Sequence, residues 1–480
     1  MKHSTRRRDF LKTNAVAGAG VLILRSGILR GADAPSNKLN IACIGVGGRG
    51  GADMNEVRGE NIVALCDVNA SNLGAAAKQF PNAKTYSDWR KCLEQKDIDA
   101  VVCATTDHTH AFVNMWALNR GKHVYCEKPL ANSVHEARMV REAYLKQKDK
   151  IATQMGTQIH AEENPRRFVE LIKGGAIGAP KEVRVWCSRE PRGGTYLPAE
   201  PVPEYLNWDL WIGPSAVHPY NAEYLKGGCL GWNPFWDFGS GQIGDMGSHM
   251  MDLAYWALDL RFPTSCEAQG TPLSTDTCPQ WLTAKWEHPA NDWRPAVEFY
   301  WYDGGKKPGV PSEAFNREWL FKGLLFKGDK GYLLADYNYR ILMPTGGDFT
   351  QYKAPTAKDI IPPSKGHHKE WIEAAKTDKK TLCNFDYSGA LIEHNLLALV
   401  SYRLGKVQTR DAGAESAKAA AKGKAKAKAK EQPQPQEGGK EEYTAGKKLQ
   451  WDAAALKAVG CPEADQYIQK KYREGWVLNG

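Results

Sequence analysis

The sequence predicts an α/β protein: a parallel sheet wrapped by helices comes first, and an α+β domain with an open, mainly antiparallel sheet follows. Two observations carry this. Between Leu39 and Met155 short apolar runs alternate with helix-like stretches, the pattern of a parallel sheet covered on both faces. Beyond Pro180 the texture turns Trp- and Pro-rich, with isolated strand-like pieces.

In the first domain the strand candidates are residues 39–44, 62–66, 100–104, 122–126 and 151–155. Ser133 and Glu136 form a capping box that opens a helix toward Lys148, and Asn164-Pro165 and Gly174 bracket another helix. In the second domain residues 182–187, 296–302 and 331–335 read as strands, and 367–376 and 388–404 as helices. Residues 411–442 are rich in Ala, Lys, Gln, Pro and Glu and hold too little apolar surface to order themselves. The predicted organisation is therefore a signal segment 1–34, a dinucleotide domain 38–155, a substrate and oligomerisation domain 156–410, a disordered insertion 411–442, and a segment 443–480 that returns to the fold.

At 480 residues and 42% hydrophobic, the chain can bury two or three domain cores. Its formal charge of +9 is unevenly spread: the first 34 residues hold seven Lys or Arg against Asp9 and Asp33. Six further lysines (418, 422, 424, 426, 428 and 430) sit in one Ala/Lys run. No basic face is left over, so nucleic acid is not an expected partner. Eleven cysteines, an odd number with no CxxC pair, argue against a disulfide scaffold and a zinc site; Cys43, Cys66, Cys103 and Cys126 read as small hydrophobes in buried strands.

The N-terminus reads Arg6-Arg7-Arg8-Asp9-Phe10-Leu11-Lys12, then an apolar stretch from Ala15 to Leu24, then Ala32-Asp33-Ala34. This resembles a twin-arginine signal, which implies the twin-arginine export machinery as a partner and a periplasmic destination. Pro35 departs from the pattern, because it hinders a cut directly after Ala34.

Gly45-Val46-Gly47-Gly48-Arg49-Gly50 matches GxGxxG in the context the motif needs. A strand precedes it, a helix follows, and Asp67 ends the next strand 22 residues beyond Gly45. Such a turn lets backbone approach a pyrophosphate, and the carboxylate accepts from a ribose diol, so a Rossmann domain is predicted. Asp67 repels a 2′-phosphate and no Lys or Arg follows until Lys78, which favours NAD over NADP. A second match, Gly239 to Gly244, follows Trp236-Asp237-Phe238 rather than an apolar strand and reads as a loop.

Glu127-Lys128-Pro129 after the fourth strand, preceded by Thr105-Thr-Asp-His-Thr-His110, resembles the glucose-fructose oxidoreductase and inositol dehydrogenase family, Gfo/Idh/MocA. Trp208-Asp-Leu-Trp211-Ile-Gly-Pro214 and the stretch from Trp236 through Asp245 to His249 extend the resemblance. It implies catalytic roles for Lys128, Asp245 and His249, and a cofactor site at Gly45, Gly47, Gly48, Arg49, Gly50, Asp67, Thr105, His110, Glu127 and Lys128. Thr106 stands where the family usually has proline, which weakens the place of His110 in a nicotinamide pocket. The resemblance also implies a homo-oligomer.

The chemistry is consistent with those residue types. Oxidising a secondary alcohol needs a neutral base for the hydroxyl proton, which histidine supplies, and a cation beside the developing alkoxide, which lysine supplies. Asp245 and His249, four apart, share a face if a helix begins near Gly244. Trp208, Trp211, Trp232 and Trp236 are candidates for stacking on a sugar, although large aromatics more often fill cores. The expected activity is NAD-dependent hydride transfer at a hydroxyl carbon of a sugar, polyol or glycoside, with no metal. Two other readings stand beside it: a redox-assisted glycoside lyase or glycosidase that recycles a tightly bound NAD, and a non-catalytic sugar-binding protein. Export of a folded chain would further require NAD to be loaded beforehand and to stay bound.

Overall fold

The computed structural model describes residues 37–309, 320–344, 361–377, 379–411 and 440–479. The segment 1–34, and residues 412–439 of the insertion read at 411–442, lie outside the described residues.

Six parallel strands form the first sheet: β1 (Asn40–Ile44), β2 (Asn61–Cys66), β3 (Lys84–Tyr86), β4 (Ala100–Cys103), β5 (His123–Cys126) and β6 (Thr153–Met155), in the order β3-β2-β1-β4-β5-β6. Five were legible as apolar runs. The sixth, β3, is a largely exposed Lys-Thr-Tyr edge with no run to read. The order reverses between β2-β1 and β4, which opens a crevice at the strand ends, the usual ligand position in doubly wound sheets.

Helices α1 (Gly48–Glu56), α2 (Ala70–Gln79), α3 (Asp107–Asn119) and α4 (Val134–Leu145) connect these strands. The starts of α2 and α4 are fixed by short polar side chains. Asn69 Oδ1 accepts from Ser71 and Asn72 N–H, and Ser133 Oγ accepts from Glu136 N–H at 3.1 Å. The capping box closes one residue early, because Glu136 Oε2 takes the Asn132 N–H at 2.8 Å.

After helix α5 (Glu163–Lys173), β7 (Pro180–Cys187) begins the second sheet. A long segment containing α6 (Trp208–Ile212) leads to α7 (Gly241–Ala257). Strands β8 (Ser265–Gly270), β9 (Leu282–His288), β10 (Val297–Asp303), β11 (Lys322–Gly328), β12 (Gly331–Ala335) and β13 (Arg340–Pro344) follow. Then come helices α8 (His367–Thr377) and α9 (Phe385–Arg403), and strands β14 (Lys406–Asp411), β15 (Lys440–Ala445), β16 (Leu449–Asp452) and β17 (Lys457–Ala458). Among the described residues the main path runs β13-β12-β11-β7-β10-β9-β8-β15-β14, and every neighbouring pair is antiparallel except β10 with β7. Burial alternates along β9 and β10. Trp286, Phe299 and Trp301 face inward, while Lys285 and Tyr300 help line a broad hollow of about 800 Å³ on the half-exposed face.

Three sequence expectations need correction. Gly239 to Gly244 is not a loop: Gly241 and Gly244 lie in the first turn of α7, and a Cβ on Gly239 would meet Asn233 backbone at 2.3 Å. The glycines there serve close packing, which a phosphate-loop pattern cannot distinguish. The insertion is also shorter than 411–442, because Asp411 faces Lys440 in the β14–β15 ladder and residues 440–442 lie within β15. Finally, α8 does not belong to the second domain. Trp371 and Ala374 pack with Ile41, Cys43 and Val102 on the first sheet, so the 156–410 boundary is crossed by a helix that returns to the N-terminal layer.

Candidate active site

A cleft of about 480 Å³ opens at the ends of β1, β2 and β4, between the first domain and the segment that follows β7. Its floor is the glycine turn. Gly45 has φ +80° and a Cβ there would meet Ala104 O at 2.4 Å; on Gly50 a Cβ would sit 1.9 Å from Gly45 O. Only glycine lets strand, turn and helix approach this closely. Asp67 lines the same cleft. Its Oδ2 accepts from Val46 N–H at 2.9 Å and its Oδ1 from Asn69 N–H at 2.8 Å, which aims the carboxylate. Burial nevertheless raises its pKa, against the hydrogen bonds from Asn69 and Val46. A close-approach glycine turn beside a fixed carboxylate at the cleft wall is the donor set a dinucleotide requires, so these residues fit NAD.

Gly47, Gly48, Arg49, Thr105, His110, Glu127 and Lys128 also line the cleft. Arg49 is half exposed and spans two carboxylates, Asp53 at 2.7 Å and Glu127 at 3.1 Å. Burial and the nearby Asp53 raise Glu127 to about 7, against the pull of Arg49. Thr105 Oγ1 accepts from the Thr109 hydroxyl at 2.6 Å. His110 is buried, with Nδ1 at 2.7 Å from Pro129 O and Nε2 at 3.0 Å from Thr105 O. It therefore ties the Lys128-Pro129 turn to the end of β4 from below. Thr106, in place of a proline, is the N-cap of α3 and leaves His110 on the cleft.

Lys128 reaches from the first domain into the second, where its ammonium is hydrogen-bonded to Asp245 Oδ1 on α7. The other oxygen of Asp245 accepts from Arg189 Nη1 at 2.7 Å. Burial pulls the lysine pKa down, but Asp245, Cys229 and Asp107 outweigh it and the net shift is upward. Burial likewise raises Asp245, yet the lysine and arginine hold it below the ordinary carboxylate range. The pair is charged on both sides.

His249 lies one helical turn after Asp245 because α7 already runs through both. Burial, then the charge of Lys128, lowers its pKa to about 3, so the imidazole is neutral at any working pH. Its Nδ1 is buried with no hydrogen-bond partner among the described residues. Asp245 and His249 sit behind Lys128 rather than on the cleft wall itself.

Sequence reasoning missed Arg189, Cys229, Leu206 and Leu210. The last three line the cleft from the second domain, and Arg189 completes the charge set around Asp245. Arg189 follows the predicted strand 182–187 by two residues, a position that could have drawn notice; the others carry no motif. Of the candidate tryptophans, Trp211 and Trp232 line the cleft, whereas Trp208 stacks on Trp211 at 4.5 Å and Trp236 is buried in the main core.

Two family models match in sequence: the oxidoreductase family with an NAD-binding Rossmann fold over residues 39–155, and the same family's C-terminal α/β domain over 164–290. The chain belongs to the Gfo/Idh/MocA oxidoreductase family. Inositol 2-dehydrogenase of Salmonella paratyphi B is 33% identical over 152 residues, which is 32% of this chain and 42% of that protein. Levoglucosan dehydrogenase of Pseudarthrobacter phenanthrenivorans is 29% identical over 192 residues, 40% of each chain. The chain thus spans about two fifths of the length of these curated relatives. Among solved structures, the WlbA dehydrogenase of Bordetella pertussis with NADH and UDP-GlcNAcA aligns with TM-score 0.53 at 17% identity over 76% of this chain and 96% of that one. Levoglucosan dehydrogenase with NADH and levoglucosan aligns with TM-score 0.51 at 17% identity over 75% and 97%. The Gfo/Idh/MocA fold accounts for the NAD-binding first domain and the mixed second sheet.

Proposed function

We propose that this protein is an NAD-dependent dehydrogenase that moves a hydride to or from a secondary hydroxyl carbon of a sugar, polyol or glycoside. The observation that carries it is the pairing, at one end of a dinucleotide cleft, of a Lys128 ammonium fixed by Asp245 with a neutral His249. Bound NAD supplies the hydride acceptor. Lys128 donates to the substrate oxygen and stabilises the charge that grows there as the carbon is oxidised. The neutral His249 imidazole is the base that takes the hydroxyl proton, through the ring nitrogen other than the buried Nδ1. Asp245 and Arg189 hold the lysine in place and keep it protonated. Inositol and levoglucosan, which two of the similar proteins act on, are ring compounds with adjacent secondary hydroxyls, in keeping with this class.

The chain is further proposed to be exported folded, on the strength of Arg6-Arg7-Arg8 and the short apolar stretch behind them, and to self-associate. Lys at Arg6, Arg7 and Arg8 should hold a tagged chain in the cytoplasm, and sedimentation measures the oligomer. The activity is tested by incubating the protein with a panel of polyols, free sugars and glycosides, following nicotinamide absorbance and products by mass spectrometry. Binding of NAD without a redox change on any member would overturn it.

A further inference from the structure

Asp245 is approached by Lys128 from the first domain and by Arg189 from the second sheet. Cys187, the last residue of β7, turns to the main core and pairs in register with Lys322, the first residue of β11. Opposed residues of a ladder share a face, so Lys322 stands on the side of the sheet from which Arg189, two residues after Cys187, reaches Asp245. A third group comes from the turn after β12. Tyr337 packs on the main core, and Lys322 Nζ lies 4.5 Å over the centre of its ring. That turn is held firmly: Asp336 Oδ1 accepts from Asn338 N–H at 2.6 Å, and Asn164 Nδ2, in the first turn of α5, donates to Asp336 O at 2.9 Å.

Each of the three side chains keeps donors in reserve. Arg189 commits Nη1 to Asp245 Oδ2 at 2.7 Å. Among the described residues its Nε–H and Nη2–H edge, the fork that grips a carboxylate through two parallel hydrogen bonds, has no partner, although the side chain is only 34% exposed. The Tyr337 hydroxyl is buried and likewise has no hydrogen-bond partner among the described residues. Burial pushes its pKa up; Cys187, Asp245 and Asp252 add to the rise and Arg189 opposes it, so the phenol lies within electrostatic reach of the catalytic carboxylate and of the arginine. Asp336 Oδ2 is 3.9 Å from Lys322 Nζ, too far for a hydrogen bond. Donors withdrawn from water and left unpaired are costly unless something accepts from them. Charge points the same way. Lys128, Arg189 and Lys322 bring three cations to Asp245 and Asp336, two carboxylates. Asp252 is engaged elsewhere, accepting from the Tyr387 hydroxyl at 2.7 Å and lying 3.0 Å from His160 Nδ1.

We propose that Arg189, Lys322 and Tyr337 receive a carboxylate of the substrate, so that the carbohydrate reacting at Lys128 is an acidic one: a uronate, an aldonate or a glycoside of a uronic acid. The proposal rests on the dehydrogenase reading above and narrows it. The Arg189 fork takes both carboxylate oxygens, Tyr337 and Lys322 add one neutral and one charged donor, and a monoanion balances the third cation. Because Arg189 is bonded to Asp245, which is bonded to Lys128, the carboxylate is held at a fixed offset from the ammonium, and that offset selects which hydroxyl carbon meets the base. A neutral sugar leaves the same donors unmet, which is how a site built to pair a polar group rejects the analogue that lacks it.

The test compares matched pairs on NAD-saturated protein: D-glucuronate against D-glucose, D-gluconate against D-glucitol, and methyl β-D-glucuronide against methyl β-D-glucoside, with the galacto series alongside. Nicotinamide absorbance gives kcat and KM, and calorimetry gives affinity, so recognition is read whether or not turnover follows. In at least one pair the acid should be favoured about tenfold or more, with the preference shrinking as salt is raised. Two variants probe the receptor. Tyr337→Phe removes a hydroxyl that has no partner and should leave melting temperature unchanged. It and Lys322→Gln should each cut the acid-over-neutral preference about fivefold or more, through KM rather than kcat, the effect of one lost hydrogen bond to a charged group. No preference for the acid in any pair, or a preference that neither folded variant lowers, would overturn the carboxylate receptor, and redox turnover of the neutral sugars would then keep the dehydrogenase reading. Tighter binding of glucose 6-phosphate or glucose 6-sulfate than of glucuronate would overturn the carboxylate as the group recognised. Acids bound without any redox change would uphold the receptor and defeat the dehydrogenase reading instead.

Discussion

Replacing Lys128 by alanine should separate catalysis from stability. The lysine and Asp245 side chains are 13% and 5% exposed, so this is a buried ion pair, and stripping one partner from such a pair ordinarily costs about 3–5 kcal/mol. Here the cost should be smaller, because Arg189 remains 2.7 Å from the other oxygen of Asp245 and still neutralises it. A loss of about 1–2 kcal/mol in unfolding free energy is expected. Turnover should suffer more. Removing a charge-assisted donor from a growing oxyanion costs roughly 3–4 kcal/mol of barrier, or about 100- to 1000-fold. Asp245→Asn is the contrast, since it takes the hydrogen-bonded counter-charge from both cations and should lower stability by about 3 kcal/mol or more as well as activity. The assays are denaturant unfolding and initial rates on the best panel substrate, with bound NAD quantified in each variant. Turnover of Lys128→Ala within about tenfold of wild type would refute its place at the reacting oxygen. A stability loss equal to that of Asp245→Asn would refute the buffering by Arg189.

Further outcomes follow from the same geometry. His249 works as a base only when neutral, and its pKa is pushed down to about 3, so activity should fall on acidification toward that value and stay level from about pH 5 to 9; a kcat/KM profile with an acid limb near 6.5 would reassign the base. Asp67→Asn removes the charge that repels a 2′-phosphate, so the preference for NAD over NADP should narrow by about tenfold in competition binding, and an unchanged preference would place discrimination elsewhere. Asp411 and Lys440 are directly opposed in the β14–β15 ladder, so an Asn-Gly turn in place of residues 412–439 should leave melting temperature and activity almost unchanged; a marked drop in either would show that the excised residues contribute to the fold.

Much of the first domain was legible because burial on both faces forces continuous apolar runs, and Ala100 to Cys103 is wholly buried. The edge strand β3 has no such constraint and left no trace. Lys128, Asp245 and His249 were found through a resemblance in spacing, and the helix that brings the latter two to one face starts three residues earlier than Gly244. Arg189 was not found, because a lone arginine after a strand looks like any surface residue until the fold turns it toward Asp245. The segment joining β7 to α7 was least legible. Its fastenings at Tyr205 and Asn207 are backbone hydrogen bonds to Val68 and Ala70, and backbone pairing between distant segments has no residue signature.

The division of labour at the site follows from environment rather than residue type. Lysine and histidine are both bases in water, yet here their proton affinities are driven apart. Both are largely withdrawn from solvent, and desolvation alone would favour the neutral form of each. Lys128 escapes because Asp245 stands in hydrogen-bond contact with it and is itself kept ionised, first by Lys128 and to a lesser degree by Arg189. His249 does not, since the nearby lysine charge adds to the effect of burial and Asp245, already engaged by two cations, only partly offsets it. The ammonium is thereby committed to donating and the imidazole to accepting. Arg189, bonded to the far oxygen of Asp245, adds to both effects: it helps Lys128 hold Asp245 ionised and it lowers His249 directly, so without it the two pKa values would move toward each other.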